Sequence, residues 1–424
     1  MKTVIMAGGK GTRIASVARD IPKPMIKLWD KPILEYQIES LKRSGLDDII
    51  IVIGHLGHII KDYFGDGKKF GCSISYYEEE SPLGTAGALY KIKDDLGEDF
   101  ILLCGDIIFD IDFKRFIEFH REKKALAALV AHPNSHPYDS SLFVVDKDMR
   151  ITQWLHKEDP RTYYKNLVNA GLHIINKKLL DDIRPQTEKV DLDRDLLKAA
   201  LPSGRIFAYR TPEYAKDMGT PERYDEVLDD IKNGLVQARN LSQPQSAIFL
   251  DRDGTINKSA GFVHKLEDFI LLPGASEAIK KINNSRFLAI VITNQPVIAR
   301  GELDIRGLEE IHNKMETLLG EGGAYLNDIF YCPHHPDKGF AGERIEYKID
   351  CACRKPKPGM LLQAAEKYNI NLGESWMVGD SEQDCAAGRA AGCKTAYIGD
   401  SCGTSGADMS VPSLFAFTAA LFGK

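Results

Sequence analysis

The sequence predicts an α/β protein made of two Rossmann-like domains in succession, and three observations carry that expectation. The chain has 424 residues, too many for one domain of roughly 150. Short β-branched runs recur, each followed by glycine or an acid and then by a helical pattern, the alternation of parallel sheets covered by helices. The runs also fall into two series, 4–6, 49–53, 100–104, 126–131, 142–145 and 172–175, then 247–250, 288–293, 329–332, 376–378 and 395–398.

Between the series lies a helix with a legible start. Thr220 can cap it, Pro221 suits its first position, and Tyr224, Val227, Leu228 and Ile231 repeat at helical spacing. The polar, proline-bearing LSQPQS that follows places a linker at 238–246, between a domain of residues 1–237 and one of residues 247–424. No fixed-period repeat or low-complexity tract interrupts either half. The apolar stretch 411–422 is expected to dock on a core or on a partner chain.

Hydrophobic residues at 43% and charged residues at 27% exclude a disordered or fibrous chain. With 55 basic against 61 acidic residues, the charge of -6 calls for neither nucleic acid nor an anionic membrane. Small-molecule substrates become the default, and a homo-oligomer is compatible with the sequence. No stretch approaches the ~20 apolar residues of a membrane span, so a soluble, unexported protein is expected. Eight cysteines are too sparse for a disulfide scaffold, and Cys72 and Cys104 in apolar runs read as buried free thiols of a reducing cytoplasm.

The first strand runs into Ala7-Gly8-Gly9-Lys10-Gly11-Thr12-Arg13. Glycines there let the backbone approach an anion, and amides can surround phosphate oxygens, although a plain tight turn fits the glycines alone. Pro22-Lys23-Pro24 fixes a lysine in an extended segment, and Arg13 with Lys23 supplies two cations for a triphosphate losing pyrophosphate. Pro82-Leu83-Gly84-Thr85-Ala86-Gly87 offers a small-residue turn for a base or ribose. Asp106 ends a strand, where open α/β sheets bind ligands, and Asp217 must come from far along the chain to share one Mg²⁺ with it.

GGKGTR, PKP, PLGTAG, CGD and DMGTP, in this order, resemble the sugar-1-phosphate nucleotidyltransferases across about residues 1–235. The resemblance implies a GT-A-like sheet on which a sugar 1-phosphate attacks the α-phosphorus of a nucleoside triphosphate. It implies Gly8, Gly9, Gly11, Thr12, Gly84 and Thr85 at the nucleotide, Asp106 and Asp217 on Mg²⁺, and Arg13 and Lys23 on the transferred charge. Lys157 takes the place of the family's sugar-phosphate lysine, and Asn169 with Gly171 matches its sugar-binding stretch. His156-Lys157-Glu158 departs from the usual Glu-Lys-Pro.

In the second half a strand runs into Asp251-Arg252-Asp253-Gly254-Thr255. Residues i and i+2 of an extended segment share a face, so both carboxylates are expected in one crevice. Two acids beside a phosphate need a cation between them, and a carboxylate can then attack phosphorus. Thr293-Asn294-Gln295, Arg354-Lys355-Pro356 and Val378-Gly379-Asp380-Ser381 with Asp384 follow at strand ends or in loops. This four-motif order resembles the haloacid dehalogenase superfamily over about 245–400. It implies Asp251 as nucleophile, Asp253 as general acid then base, and Thr293, Asn294 and Lys355 toward the phosphate. Asp251, the Asp253 carbonyl and Asp380 then hold Mg²⁺, with Asp384 supporting its water shell or Lys355.

Cys332, His334, Cys351 and Cys353 can form a closed sphere of three thiolates and an imidazole, suited to structural Zn²⁺, with His335 as competing ligand. A zinc clasp would hold Arg354 and Lys355 beside the active site. DRDGT, TNQ, CPHH and CxCRKPKPGM resemble the heptose 1,7-bisphosphate phosphatases, with histidinol-phosphate phosphatases close behind. Little room remains for a cap, so the zinc loop and residues 261–264 must shape the pocket, with Arg354 on the phosphate that stays on the sugar.

Together the halves imply consecutive steps: heptose 1,7-bisphosphate gives heptose 1-phosphate, which GTP converts to GDP-heptose. A mannose-1-phosphate guanylyltransferase joined to a histidinol-phosphate-type phosphatase, or a nucleotide-sensing first domain, are the alternatives.

Overall fold

The structure is a computed structural model that describes residues 1–9, 20–259, 261–339, 341–399 and 406–423. Gly11, Thr12 and Arg13 lie outside the described residues. The chain forms two compact units, one of Met1–His132, Ser141–His156 and Val168–Asn240, the other of Pro133–Ser140, Lys157–Leu167 and Leu241–Lys424.

In the first unit, strand Lys2–Met6 pairs in parallel with Asp48–Ile53 on one side and Asp99–Cys104 on the other, and Ser73–Glu78 extends the sheet. Ile49, Ile51 and Ile53 are fully buried, the β-branched signature of strands covered on both faces. The other half is mixed, a departure from the parallel expectation: Val168–Asn176 runs against both Asp99–Cys104 and Ala127–His132, while Ile206–Arg210 pairs in parallel with Ala127–His132. No crossover helix precedes Val168–Asn176, and without one a strand cannot return in the parallel sense. A separate antiparallel pair joins Ile107–Asp110 to Tyr214–Asp217. Helix Pro221–Lys232 starts as the sequence suggests, with the Thr220 side chain accepting from Arg223 N. Val227 is buried there, with Tyr224, Leu228 and Ile231 packed around it.

His173 stands in this core between Leu102 and Leu129 by strand register. It is 1% exposed and neither ring nitrogen finds a partner. Burial pushes its imidazole down to about 3. The unfolded chain therefore takes up a proton near pH 6.5 that the folded one refuses, so stability falls with pH by up to about 1.4 kcal/mol per unit below that point. His173→Leu is expected to raise stability by about 1–3 kcal/mol at pH 7, and by more at pH 5, in denaturant titrations. A variant less stable at both pH values would contradict this.

The second unit holds a six-stranded, all-parallel sheet in the order Asp328–Cys332, Phe287–Asn294, Ser246–Leu250, Trp376–Gly379, Lys394–Ile398, Met409–Val411. Helix Leu414–Phe422 is capped by the Ser413 side chain. Its Phe417 is fully buried and meets Trp376 edge-on at 5.5 Å, so the apolar C-terminal stretch docks on its own core. Among the described residues no helix is long and apolar enough to cross a membrane. Cys72, Cys104, Cys385 and Cys393 are free thiols.

Candidate active sites

In the first unit a cavity of about 800 Å³ opens where the parallel strands end, lined among others by Gly8, Gly9, Lys23, Glu79, Gly84, Thr85 and Asp106. Gly8 follows directly on the first strand, and a methyl group there would lie 2.6 Å from Glu79 Oε2. Gly84 has φ +83°, and a Cβ would lie 2.4 Å from the Val190 carbonyl. Only glycine allows that approach without strain. The Thr85 hydroxyl accepts from Leu192 N at 2.7 Å. The PLGTAG turn thus seats the segment around 190 as well as facing the cavity.

Lys23 Nζ is 2.5 Å from Asp106 Oδ2, with the lysine side chain 12% exposed. Asp217 stands opposite Ile107 in the short antiparallel pair, and Met218 N donates to the Asp106 carbonyl at 3.1 Å. The fold therefore brings the two aspartate segments together across 111 positions of sequence. Burial pushes the Asp217 carboxyl up, but Arg223, donating to both its oxygens at 2.8 and 2.7 Å, outweighs this and holds it below the usual carboxylate range.

Asn169 Oδ1 accepts from Gly171 N at 3.1 Å, and its Nδ2 reaches Asp193 Oδ1 at 3.5 Å. Burial, helped by the nearby Asp191 charge, raises Asp193 to about 6. Lys157 is exposed and falls in a segment grouped with the second unit. Sequence reasoning missed Glu79, Asp193 and Arg223. Glu79 and Asp193 lie in runs of acids that look like solvated turns, and Arg223 stands inside a surface helix.

In the second unit the central strand Ser246–Leu250 delivers Asp251, whose N–H donates to the Val378 carbonyl at 2.9 Å. Asp251, Asp380 and Asp384 present oxygens within 4.8 Å of one another. Lys355 Nζ joins them, 2.8 Å from Asp251 Oδ1 and 2.5 Å from Asp384 Oδ1, and donates to the Ile292 carbonyl at 2.8 Å. Burial opposes its charge, yet the two carboxylates hold the Lys355 ammonium above its ordinary range. Burial first and Asp384 next push Asp251 up to about 7 and Asp380 to about 6. Three carboxylates crowded out of water around one lysine are a donor set that suits a hard divalent cation. Gly254, at φ +82°, is required here: a Cβ would fall 1.8 Å from Asp380 Oδ2.

Asp253 is not among the gathered carboxylates. The amides of Thr255, Ile256 and Asn257 all turn back to the Arg252 carbonyl, so a tight turn follows directly on the strand. The Asp253 side chain accepts instead from Arg252, Asn257 and Gln295. Thr293 Oγ1 accepts from Gln295 Nε2 at 2.9 Å. Asn294 is committed to the Lys355 peptide, accepting from its N–H at 3.0 Å and donating to its carbonyl at 3.1 Å.

Cys332, His334, Cys351 and Cys353 form a second group that could hold a metal ion. The sulfurs lie 3.2–3.5 Å apart, and His334 Nδ1 is 3.4 Å from Cys353 Sγ and 3.7 Å from Cys332 Sγ. These separations are too long for a disulfide; the two His334 distances bracket the N–S edge, about 3.6 Å, of a tetrahedron with zinc bond lengths, and the sulfurs stand a few tenths of an ångström inside its S–S edge of about 3.8 Å. His335 turns elsewhere, its Nδ1 accepting from Asp337 N. Arg354 Nη1 donates to the His334 carbonyl at 3.2 Å.

The model of the nucleotidyl transferase family matches residues 2–234, and a HAD-hydrolase-like model matches 352–408. A D-glycero-beta-D-manno-heptose-1,7-bisphosphate 7-phosphatase of Pasteurella multocida is 42% identical over 155 residues, 36% of this chain and 81% of that protein. The chain belongs to the nucleotidyl transferase family in its first half and to this phosphatase family in its second. It is also 34% identical over 221 residues to a UTP–glucose-1-phosphate uridylyltransferase of Synechocystis sp., covering 49% of this chain and 57% of that one. A mannose-1-phosphate guanylyltransferase of Mycobacterium tuberculosis is 30% identical over 242 residues, covering 56% and 66%. The chain thus spans less than two thirds of both transferases, and one polypeptide joins a nucleotidyltransferase domain to a phosphatase domain.

Proposed function

We propose that residues 247–424 remove the C7 phosphate of D-glycero-D-manno-heptose 1,7-bisphosphate, and that residues 1–237 join the resulting heptose 1-phosphate to GTP, giving GDP-heptose and pyrophosphate. The reading rests on one observation above all: a single chain carries a cavity lined by Lys23 and Asp106, with the Asp217 strand paired beside it, and a separate Asp251–Asp380–Asp384–Lys355 cluster, the latter in a domain 42% identical to a heptose bisphosphate phosphatase.

In the phosphatase step an Asp251 oxygen attacks phosphorus, the sugar oxygen leaves with a proton from Asp253, and water deprotonated by Asp253 then frees phosphate from Asp251. Lys355 and Thr293 hold phosphoryl oxygens, Asn294 holds Lys355, and Arg354 faces the phosphate that stays on the sugar. In the transferase step a sugar-phosphate oxygen attacks the α-phosphorus while Lys23 and Arg13 balance the charge of departing pyrophosphate. Gly8, Gly9, Gly11 and Thr12 cradle the triphosphate, with Gly84 and Thr85 at the nucleoside. Asn169, the Gly171 amide and Asp193 take sugar hydroxyls. Asp106 with Asp217, and Asp251 and Asp380 with the Asp253 carbonyl, are the groups that would hold Mg²⁺. The ion would there draw charge from phosphoryl oxygens. The free thiols fit a reducing cytoplasm.

The Glu79 carboxylate supports guanine over the other bases. It faces the cavity beside Gly8, half-buried, and burial raises it above the usual carboxylate range. Guanine presents two adjacent donors, N1–H and N2–H, to a carboxylate's two acceptors. Uracil and adenine each set acceptors beside a single donor. With heptose 1-phosphate and Mg²⁺, pyrophosphate release is expected to be fastest from GTP. Glu79→Gln is expected to lower kcat/KM for GTP about 10- to 100-fold, the worth of one bidentate base contact. Release from ATP or UTP but not GTP would overturn this reading.

The three thiolates and His334 are the groups that would hold Zn²⁺, tying the loop that carries Arg354 and Lys355. A zinc-selective chelator, with Mg²⁺ kept in excess, is expected to abolish phosphate release and leave pyrophosphate release intact. Metal analysis is expected to give about one zinc per chain. Full phosphatase activity in zinc-free protein would exclude this role.

A further inference from the structure

The phosphatase reading accounts for Asp251, Asp253 and Lys355 but leaves unexplained the residue between the two aspartates. Arg252 is fully buried, 0% exposed, an environment a guanidinium enters only when its donors are matched. Its Nη2 donates to Asp253 Oδ1 and Oδ2 at 3.0 and 2.9 Å, and its Nε to Oδ1 at 3.2 Å. Its Nη1 lies 3.4 Å from Nε2 of His312. A guanidinium has no acceptor, so this His312 nitrogen accepts. His312 is itself buried on the long helix Ile305–Glu321. The head group is thus fixed from one side by a rigid helix and grips the carboxylate from the other. Asn257 Nδ2 at 2.9 Å and Gln295 Nε2 at 3.0 Å complete the ring around Asp253. Among the described residues, every hydrogen-bond partner of this carboxylate is a donor, so its two oxygens are held from several directions at once.

We infer that Arg252, held by His312, is a positioning residue that fixes the Asp253 carboxylate for the hydrolysis of the aspartyl phosphate. In that half-reaction a water oxygen forms a bond to phosphorus, the phosphorus–Asp251 oxygen bond breaks, and the water proton passes to Asp253. The inference rests on the phosphatase reading, and its test separates the two half-reactions. A 4-nitrophenolate leaving group needs no proton, so the first turnover of 4-nitrophenyl phosphate reports attack by Asp251 alone, and later turnovers report hydrolysis of the intermediate.

With the full chain and Mg²⁺, Arg252→Lys keeps the charge but not the two-oxygen grip. It is expected to release one nitrophenolate per site at a rate within about threefold of the parent, then to turn over about 100-fold more slowly, the lower end of what acid–base groups contribute. His312→Leu, which leaves the arginine in place but removes its anchor, is expected to show the same selective loss at about tenfold, and it carries the test if Arg252→Lys does not fold. Retained pyrophosphate release from GTP and an unchanged melting temperature check the fold. If burst and later turnovers slow together, or neither slows in both variants, the positioning role is wrong while the phosphatase reading stands. If the parent chain hydrolyses neither 4-nitrophenyl phosphate nor heptose 1,7-bisphosphate, both fall.

Discussion

Asp251→Asn is expected to lower phosphate release from heptose 1,7-bisphosphate by at least about four orders of magnitude, the scale on which nucleophile replacements act, while pyrophosphate release from GTP and heptose 1-phosphate stays unchanged. The amide keeps the size of the side chain but cannot form the phosphoryl intermediate. Its loss of charge also relieves the crowding with Asp380 and Asp384 and leaves Lys355 with Asp384 as its remaining ion-pair partner. The fold should therefore survive, and the effect should be confined to kcat. Phosphate assays on the purified variant check this, and residual activity within tenfold of the parent would mean that another group is the nucleophile.

Asp106→Asn is expected to do the reverse, lowering pyrophosphate release by about 100- to 1000-fold and sparing phosphate release. Two losses combine. Lys23, whose side chain is 12% exposed, loses the carboxylate 2.5 Å away, and an ammonium left without its partner in a partly buried site is costly. The anionic donor that would pair with Asp217 around a divalent ion is lost as well, and the carbonyl of residue 106 still receives Met218 N, so the backbone frame persists. Measuring pyrophosphate and phosphate release on the same preparation distinguishes this from unfolding. Unchanged pyrophosphate release would mean that Asp106 is not needed for the transfer, and no release from the parent chain itself would favour a first domain that senses nucleotide without catalysis.

Much of the architecture was legible because buried parallel strands leave a strong trace. The runs at 49–53, 247–250 and 288–293 lie within the observed Asp48–Ile53, Ser246–Leu250 and Phe287–Asn294, since only β-branched and aliphatic side chains suit strands covered on both faces. Ser73–Glu78 and Ile151–Leu155 left a weaker trace because each carries exposed polar positions. Ile107–Asp110 and Tyr214–Asp217 have four residues each, too short for a period to register. Motif residues at strand ends were visible because glycine and acid interrupt an apolar run. The residues that hold them were not: Arg223 on Asp217, Asn294 on the Lys355 peptide and Arg252 on Asp253 act through contacts that depend on how turns and helices fold back.

The most direct test of the two-step account is mass spectrometry of the products formed when the full chain meets D-glycero-D-manno-heptose 1,7-bisphosphate, GTP and Mg²⁺. The account predicts phosphate, pyrophosphate and GDP-heptose from the parent, and heptose 1-phosphate accumulating in Asp106→Asn. Disappearance of the bisphosphate with no sugar nucleotide formed, or a nucleotide sugar that still carries the second phosphate, would contradict it.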